Sequence, residues 1–385
     1  MLTKNINFKN FLDKTKKNNI SKKLNFLLNE NNQILRTLSV SYKYNYSNKI
    51  ISKFKKYKNI NLIGMGGSIL GSQAIHDFMK YKIKKNFSFI NNLDLRFFKT
   101  KIKKNNLNLI ISKSGNTLET ITNSNLIIKK KDKNIFITEN TNSYLFNLGK
   151  KLKAEIIEHK NYIGGRYSVL SEVGMLPAEL MGLNEKKFKQ FDNLIKNKKF
   201  INNLIANVES TLYFLKKRKF NSVILNYDEQ SENLFKWYQQ LLAESLGKKS
   251  KGILPIVSSM PKDNHSLMQF YLDGPKKSFY TFFYVYDIRS IKVKSNELLR
   301  AANHLKNKEL KNIIYAQKIA TENVFKKKKI PFRSFEVINR DEKSLGELFA
   351  FFIMETILLG RALNVNPFDQ PSVELIKKET KKNLI

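Results

Sequence analysis

Two short loops carry the residue types that bind anions. Gly64-Met65-Gly66-Gly67-Ser68 and Ser112-Lys113-Ser114-Gly115-Asn116-Thr117 each follow a short apolar run and precede a helical pattern. In an open parallel sheet, ligands bind beyond the carboxyl ends of the strands, where backbone N–H groups at a helix start favour negative charge. The second loop is the sharper candidate, because the hydroxyls of Ser112, Ser114 and Thr117 and the Lys113 ammonium are available to ligate one phosphate. Neither loop has the glycine spacing of a dinucleotide fingerprint or the closing glycine-lysine-Ser/Thr of a nucleoside-triphosphate loop. A bare helix cap fits each of them taken singly.

Candidates for moving protons are individually plain. In ENLFKWYQQLLAESLGK, residues 232–248, Leu234, Trp237, Leu241 and Leu242 form the apolar stripe of a helix, while Gln240 and Glu244, four apart, share another face. Leu246-Gly247 suits a helix C-cap and sets Glu244 at a helix end near a domain edge. By itself Glu244 reads as a surface carboxylate, His265 as a loop histidine, and Arg166 in Gly164-Gly165-Arg166-Tyr167-Ser168 as half of a structural salt bridge. Lys377 is one lysine among many. The chain has 4 His and no Cys. Thiolate chemistry and a disulfide framework are therefore excluded, and a metal site would need scattered histidines and carboxylates.

The elements that must position these residues alternate. Apolar runs at 59–65 (NINLIGM) and 106–112 (NLNLIIS) are each followed by a loop and then a helical pattern, over 68–81 and 117–128. Further strands are expected at 134–138 (NIFIT) and 155–158 (EIIE). After a helical stretch at 186–217 the alternation resumes, with strands at 222–227, 253–257 and 279–286 around the 232–246 helix. The pattern predicts an α/β protein with two parallel-sheet α/β/α sandwich domains and flanking N- and C-terminal helices. The expected division is N-terminal helices over 1–45, a first domain over 46–185, a second over 186–342, and C-terminal helices over 343–385. A chain of 385 residues is long enough for two cores.

With Lys+Arg 70 against Asp+Glu 32, the formal charge of +38 is the footprint of a polyanion binder. The lysines are nevertheless spread along the whole chain among abundant Asn, Ile, Phe and Tyr, the set encoded by A/T-rich codons. Compositional bias accounts for the charge, and no specific nucleic-acid partner is expected. The opening residues lack the apolar core of a secretory leader, so a cytoplasmic location is expected. The most apolar stretch, 345–359, carries Glu347 and Glu355 and reads as a buried core helix rather than a membrane span.

Taken in order, six segments resemble the glucose-6-phosphate isomerases, whose domains are of the sugar isomerase (SIS) class. They are IGMGGSILGS from Ile63, ISKSGNTLET from Ile111, IGGRYSVLS from Ile163, QQLLAESLGK from Gln239, DNHSLMQ from Asp263 and NPFDQPSVELIKK from Asn366. The chain is similar to the shorter members of that family, and departs from its pattern at Leu246 and Ile376. The resemblance implies reversible aldose–ketose interconversion of glucose 6-phosphate and fructose 6-phosphate, a step of glycolysis and gluconeogenesis, through ring opening and a cis-enediolate. It implies that His265 and Lys377 serve ring opening, that Glu244 moves the proton between C2 and C1, and that Arg166 stabilises the enediolate. Ser112, Lys113, Ser114 and Thr117 match the phosphate loop, Gln240 and Gln370 further active-site positions, and Gly67 and Ser68 the sugar side. No metal or organic cofactor is implied, and a homodimer is, with His265 contributed across the interface. The alternatives are a dual phosphoglucose/phosphomannose isomerase and a SIS protein that only binds sugar phosphates; the latter would have no need of Glu244, His265 and Lys377 together.

Overall fold

The computed structural model describes residues 1–11, 19–94, 106–129, 131–286, 290–294 and 296–385. Among these the strands are β1 (Ile6–Lys9), β2 (Asn59–Gly64), β3 (Asn86–Ile90), β4 (Asn106–Ile111), β5 (Lys133–Thr138), β6 (Glu155–Glu158), β7 (Asn221–Asn226), β8 (Leu254–Ser259), β9 (Ser278–Val285) and β10 (Phe332–Val337). They form two five-stranded sheets, ordered β3-β2-β4-β5-β6 and β1-β10-β9-β7-β8. The first is parallel throughout. In the second, β10, β9, β7 and β8 are parallel, and β1 pairs antiparallel on the β10 edge. Every residue of β4 and of β9 is buried, so both faces of these strands are covered, as in a parallel sheet packed on both sides.

The order of the first sheet contains the feature that makes a binding site. From β2 the chain crosses to β3 on one side, and β4 then starts on the other, so the strand order reverses between β2 and β4. The two glycine-serine loops leave this reversal point side by side, since Gly64 and Ile111 are register partners at the carboxyl ends. Crevices at such points are where open α/β sheets bind ligands.

One apolar core runs between the sheets. Ile75 and Phe78 of the Leu70–Phe78 helix, Trp237 and Leu241 of the Glu232–Leu246 helix, and Phe349 and Phe352 of the Glu342–Leu363 helix all belong to it. The last of these helices is buried from Ser344 to Gly360, the core helix expected of this stretch. The two carboxylates within that span are compensated, as burial of charge demands. Glu347 accepts from Thr3 Oγ1 at 2.6 Å and Asn5 Nδ2 at 2.9 Å. Glu355 accepts from Asn207 Nδ2 at 2.6 Å and Tyr238 OH at 2.9 Å, and pairs with Arg333. No helix among the described residues is long and apolar enough to cross a membrane.

Several elements differ from the sequence expectation. The segment 1–45 is helical at Ile20–Asn29 and Gln33–Arg36, but Ile6–Lys9 is a strand, and residues 12–18 lie outside the described residues. Ile6 and Phe8 alternate inward, and Phe8 packs on Phe335 and Phe351, so burial on an open sheet edge overrides the helical spacing. The expected 186–217 stretch is broken into Glu185–Phe188, Phe191–Leu194 and Lys198–Lys216, with Asn184 and Asn197 capping the first and third. The expected C-terminal helices over 343–385 are interrupted after Leu363 and resume at Val373, because the intervening residues run as a loop around Arg166.

Candidate active site

The first loop touches two other parts of the chain. A Cβ on Gly67 would lie 2.1 Å from the Gly165 carbonyl carbon, so only glycine lets this loop meet the Gly165–Leu170 turn backbone to backbone. Gly66, with φ +52, approaches Gln240, whose Nε2 would be 2.8 Å from an added Cβ. Ser68 is buried at the end of the same loop. The Glu232–Leu246 helix has Leu234, Trp237, Leu241 and Leu242 inward and ends at Gly247, whose N–H donates to Ala243 O at 2.8 Å. Its other face presents Gln240 and Glu244, with Gln240 Nε2 donating to Glu244 Oε2 at 3.2 Å. Leu70, Asn233, Lys236, Gln240, Glu244 and Val373 line a cleft of about 730 Å³.

Arg166 is the hub. It is 2% exposed. Its Nε donates to Ser245 Oγ at 2.8 Å and its Nη1 to Gln370 Oε1 at 2.7 Å. Nη2 donates to the carbonyls of Pro367 at 2.8 Å and Asp369 at 2.9 Å, and Nη1 stands 3.3 Å from Glu244 Oε2. Tyr167 OH donates to Pro367 O at 3.0 Å, and burial pushes its phenol up to about 12. Lys248 grips the other side of the same loop, 2.7 Å from Asp369 Oδ1; this hydrogen bond holds the Asp369 carboxyl below its ordinary range.

The second loop is already shaped. Ser112 Oγ and Thr117 Oγ1 are 2.8 Å apart, and Thr117 begins the Leu118–Ile127 helix without spending its hydroxyl on a backbone cap. Gly115 has φ +64, and a Cβ there would come within 2.0 Å of Ser143 Oγ. Lys113 Nζ donates to Asn161 O at 2.5 Å and lies 3.8 Å from Glu139. His159, next to this lysine's anchor, is 2% exposed; its Nδ1 is 3.1 Å from Lys160 O, and burial is the main cause that lowers it to about 4. The ring is therefore neutral at ordinary pH.

The structure thus links Arg166, Gln240, Glu244 and Gln370 in one cluster of polar contacts, of which Gln240 and Glu244 line the cleft, with Gly67, Ser68, Ser112, Lys113, Ser114 and Thr117 in the two loops at the reversal point. It does not bring His265 or Lys377 into the buried cluster. His265 is exposed at the end of the Lys262–His265 turn after β8, and Lys377 is exposed on the Val373–Asn383 helix. Ser245, Pro367, Asp369, Lys248 and Asn161 are partners that spacing alone did not single out. Among the described residues no cluster of three or more histidines and carboxylates could hold a metal ion.

A carboxylate paired to a buried guanidinium, beside an anion loop at a reversal point, invites comparison with known proteins. A family model described as phosphoglucose isomerase matches residues 29–253. The chain belongs to the phosphoglucose isomerase family. A glucose-6-phosphate isomerase of Methanocaldococcus jannaschii is 34% identical over 359 residues, covering 85% of each chain. One from Mycoplasmopsis pulmonis is 34% identical over 82% of this chain and 80% of its own, and one from Campylobacter jejuni 30% identical over 84% of both. Among solved structures, a hypothetical protein of Thermus thermophilus superposes with a TM-score of 0.81 at 22% identity over 95% of this chain and 94% of its own. A glucose-6-phosphate isomerase from Chlamydia trachomatis gives 0.72 at 18% identity over 87% and 71%. Both solved structures share their fold with this phosphoglucose isomerase family member.

Proposed function

We propose that the chain interconverts glucose 6-phosphate and fructose 6-phosphate. The observation that carries the reading is the Glu244–Arg166 pair at 3.3 Å, in which Glu244 lines the cleft and the buried guanidinium stands behind it. Isomerisation needs a single carboxylate to carry a proton between C2 and C1 on one face of an enediolate, and a fixed cation to stabilise the charge that develops on oxygen. Glu244 is the base and Arg166 the cation. Because the four hydrogen bonds of Arg166 go to protein acceptors, it acts as a preorganised positive charge and need not reorganise during the reaction. Gln240 orients Glu244, and Gln370 is held by Arg166. Ser112, Lys113, Ser114 and Thr117 take the substrate phosphate, and Gly67 and Ser68 bound the sugar.

Ring opening falls to His265 and Lys377. In a single chain His265 is exposed and outside the cleft, which favours its acting in the site of a second subunit, and the working unit is a homodimer in the cytoplasm. The scheme uses side chains alone and calls on no metal or organic cofactor.

The test is Glu244→Gln, which keeps size and polarity and removes the base. Fructose 6-phosphate turnover is expected to fall by about 10²–10⁴-fold with substrate binding largely retained. In heavy water the parent places deuterium at C2 of glucose 6-phosphate and the variant does not. Near-normal turnover of Glu244→Gln would remove this residue as the base.

A further inference from the structure

A second hollow, of about 370 Å³, lies among the end of the Lys198–Lys216 helix, the 248–251 turn and the end of the Glu342–Leu363 helix. Leu212, Leu215 and Phe220 supply its apolar wall, and Lys23, Lys216 and Lys251 its rim. No carboxylate is among its lining residues, taken over the described residues, whereas Glu244 stands in the substrate cleft and Glu30 in the hollow beside Tyr162. Phe220 is 48% exposed, a large ring left half-uncovered beside three cations. An apolar wall with a few cationic groups at its rim selects a ligand with an apolar body and one anionic head.

The turn that supplies Lys251 is unusual. Lys248 and Lys251 exchange backbone hydrogen bonds at 3.1 and 2.9 Å, and both residues between them, Lys249 with φ 53 and Ser250 with φ 56, are left-handed without being glycine. Side-chain-bearing residues held this way gather at ligand sites and switches. From here Lys251 Nζ donates to Leu363 O at 2.9 Å, and Lys248 holds Asp369, whose carbonyl accepts from Arg166. The hollow is thus connected to the catalytic guanidinium through two lysines of one strained turn.

We propose that this hollow is an effector site for an amphipathic anion, a carboxylate or phosphate carried on an apolar chain or ring, coupled to the Arg166 loop through Lys251 and Lys248. The coupling rests on the isomerase reading; the binding does not. The probe is octanoate, titrated calorimetrically into the full chain, with octanol as the uncharged control and inorganic phosphate as the anion lacking an apolar body. Octanoate is expected to bind saturably and at least about tenfold more tightly than either control, and to lose about tenfold in Lys23→Glu/Lys216→Glu. Equal binding of octanol, full affinity in the double variant, or competitive displacement by fructose 6-phosphate would overturn the site. In Glu244→Gln, where fructose 6-phosphate binding is read without turnover, octanoate is expected to shift its affinity about threefold, and fructose 6-phosphate to shift octanoate affinity by the same factor. No shift would sever the coupling and leave the binding result standing; near-normal turnover in that variant would count against Glu244 as the base instead.

Discussion

Replacing Arg166 by lysine keeps one positive charge and removes a geometry. The guanidinium spends four hydrogen bonds, to Ser245 Oγ, Gln370 Oε1 and the carbonyls of Pro367 and Asp369, all at 2.7–2.9 Å, from a side chain 2% exposed. An ammonium has three donors radiating from one point and cannot reach Ser245 on one side and two loop carbonyls on the other. By donor number alone at least one of the four hydrogen bonds is lost, and by shape two. At roughly 1.5–3 kcal/mol for each hydrogen bond to a charged group, less what relaxation recovers, the 366–370 loop loses about 2–5 kcal/mol of anchoring. The same displacement moves positive charge away from Glu244, now 3.3 Å distant. The expected outcome of Arg166→Lys is a thermal midpoint lowered by several degrees and kcat/KM for fructose 6-phosphate lowered by about 10²–10³, with most of the loss in kcat. Calorimetry and a coupled isomerase assay read the two separately. A kcat/KM within about threefold of the parent, with the midpoint lowered, would refute the electrostatic role; an unchanged midpoint would refute the anchoring.

Two further substitutions separate binding from packing. Thr117→Ala removes a hydroxyl that caps no helix, so KM for fructose 6-phosphate is expected to rise about tenfold with kcat little changed, and inorganic phosphate to compete more weakly than in the parent. His159 has its pKa lowered from 6.5 to about 4 by burial, so the unfolded chain takes up a proton that the folded chain refuses as pH falls between those values, and stability drops through that window. In His159→Gln the fall in urea midpoint between pH 7 and pH 4.5 should be measurably smaller than in the parent, and an identical fall would place the ring outside the core.

The central elements of the fold were legible because their residues have one job. The apolar residues of NLNLII are not confined to one face, since β4 is covered on both, and Leu234, Trp237, Leu241 and Leu242 mark the inward stripe of their helix with 0–1% exposure. What stayed hidden depends on partners distant in sequence. β1 is four residues long in a lysine-rich segment, and only the open edge of β10 makes it a strand. The Glu172–Leu180 helix contains Gly174 and Pro177, both poor helix formers, and Gly174 is needed because a Cβ would strike Val169 O at 1.9 Å. In the candidate site, the four-residue spacing placed Gln240 with Glu244, but the pairing of Glu244 with Arg166 spans 78 residues and follows no local rule. Ser245, Pro367 and Asp369 hold Arg166 partly through backbone carbonyls, which any residue type supplies, so composition carries no trace of them.

Pairing of β1 with β10 also sets an order of events during synthesis. Every strand of the first sheet is made between residues 59 and 158, so that sheet can close while the rest of the chain is still being translated. Ile6–Lys9 is made long before its partner Phe332–Val337 and the Glu347 that receives Thr3 and Asn5. Ile6–Lys9 must therefore wait, unpaired, for more than three hundred further residues, a closure of long sequence separation and hence slow. Until it happens, the nascent second half presents the backbone of β10 along its rim, where another chain's strand can add. A chain trimmed of its first nine residues would keep that rim permanently and tend to associate through it.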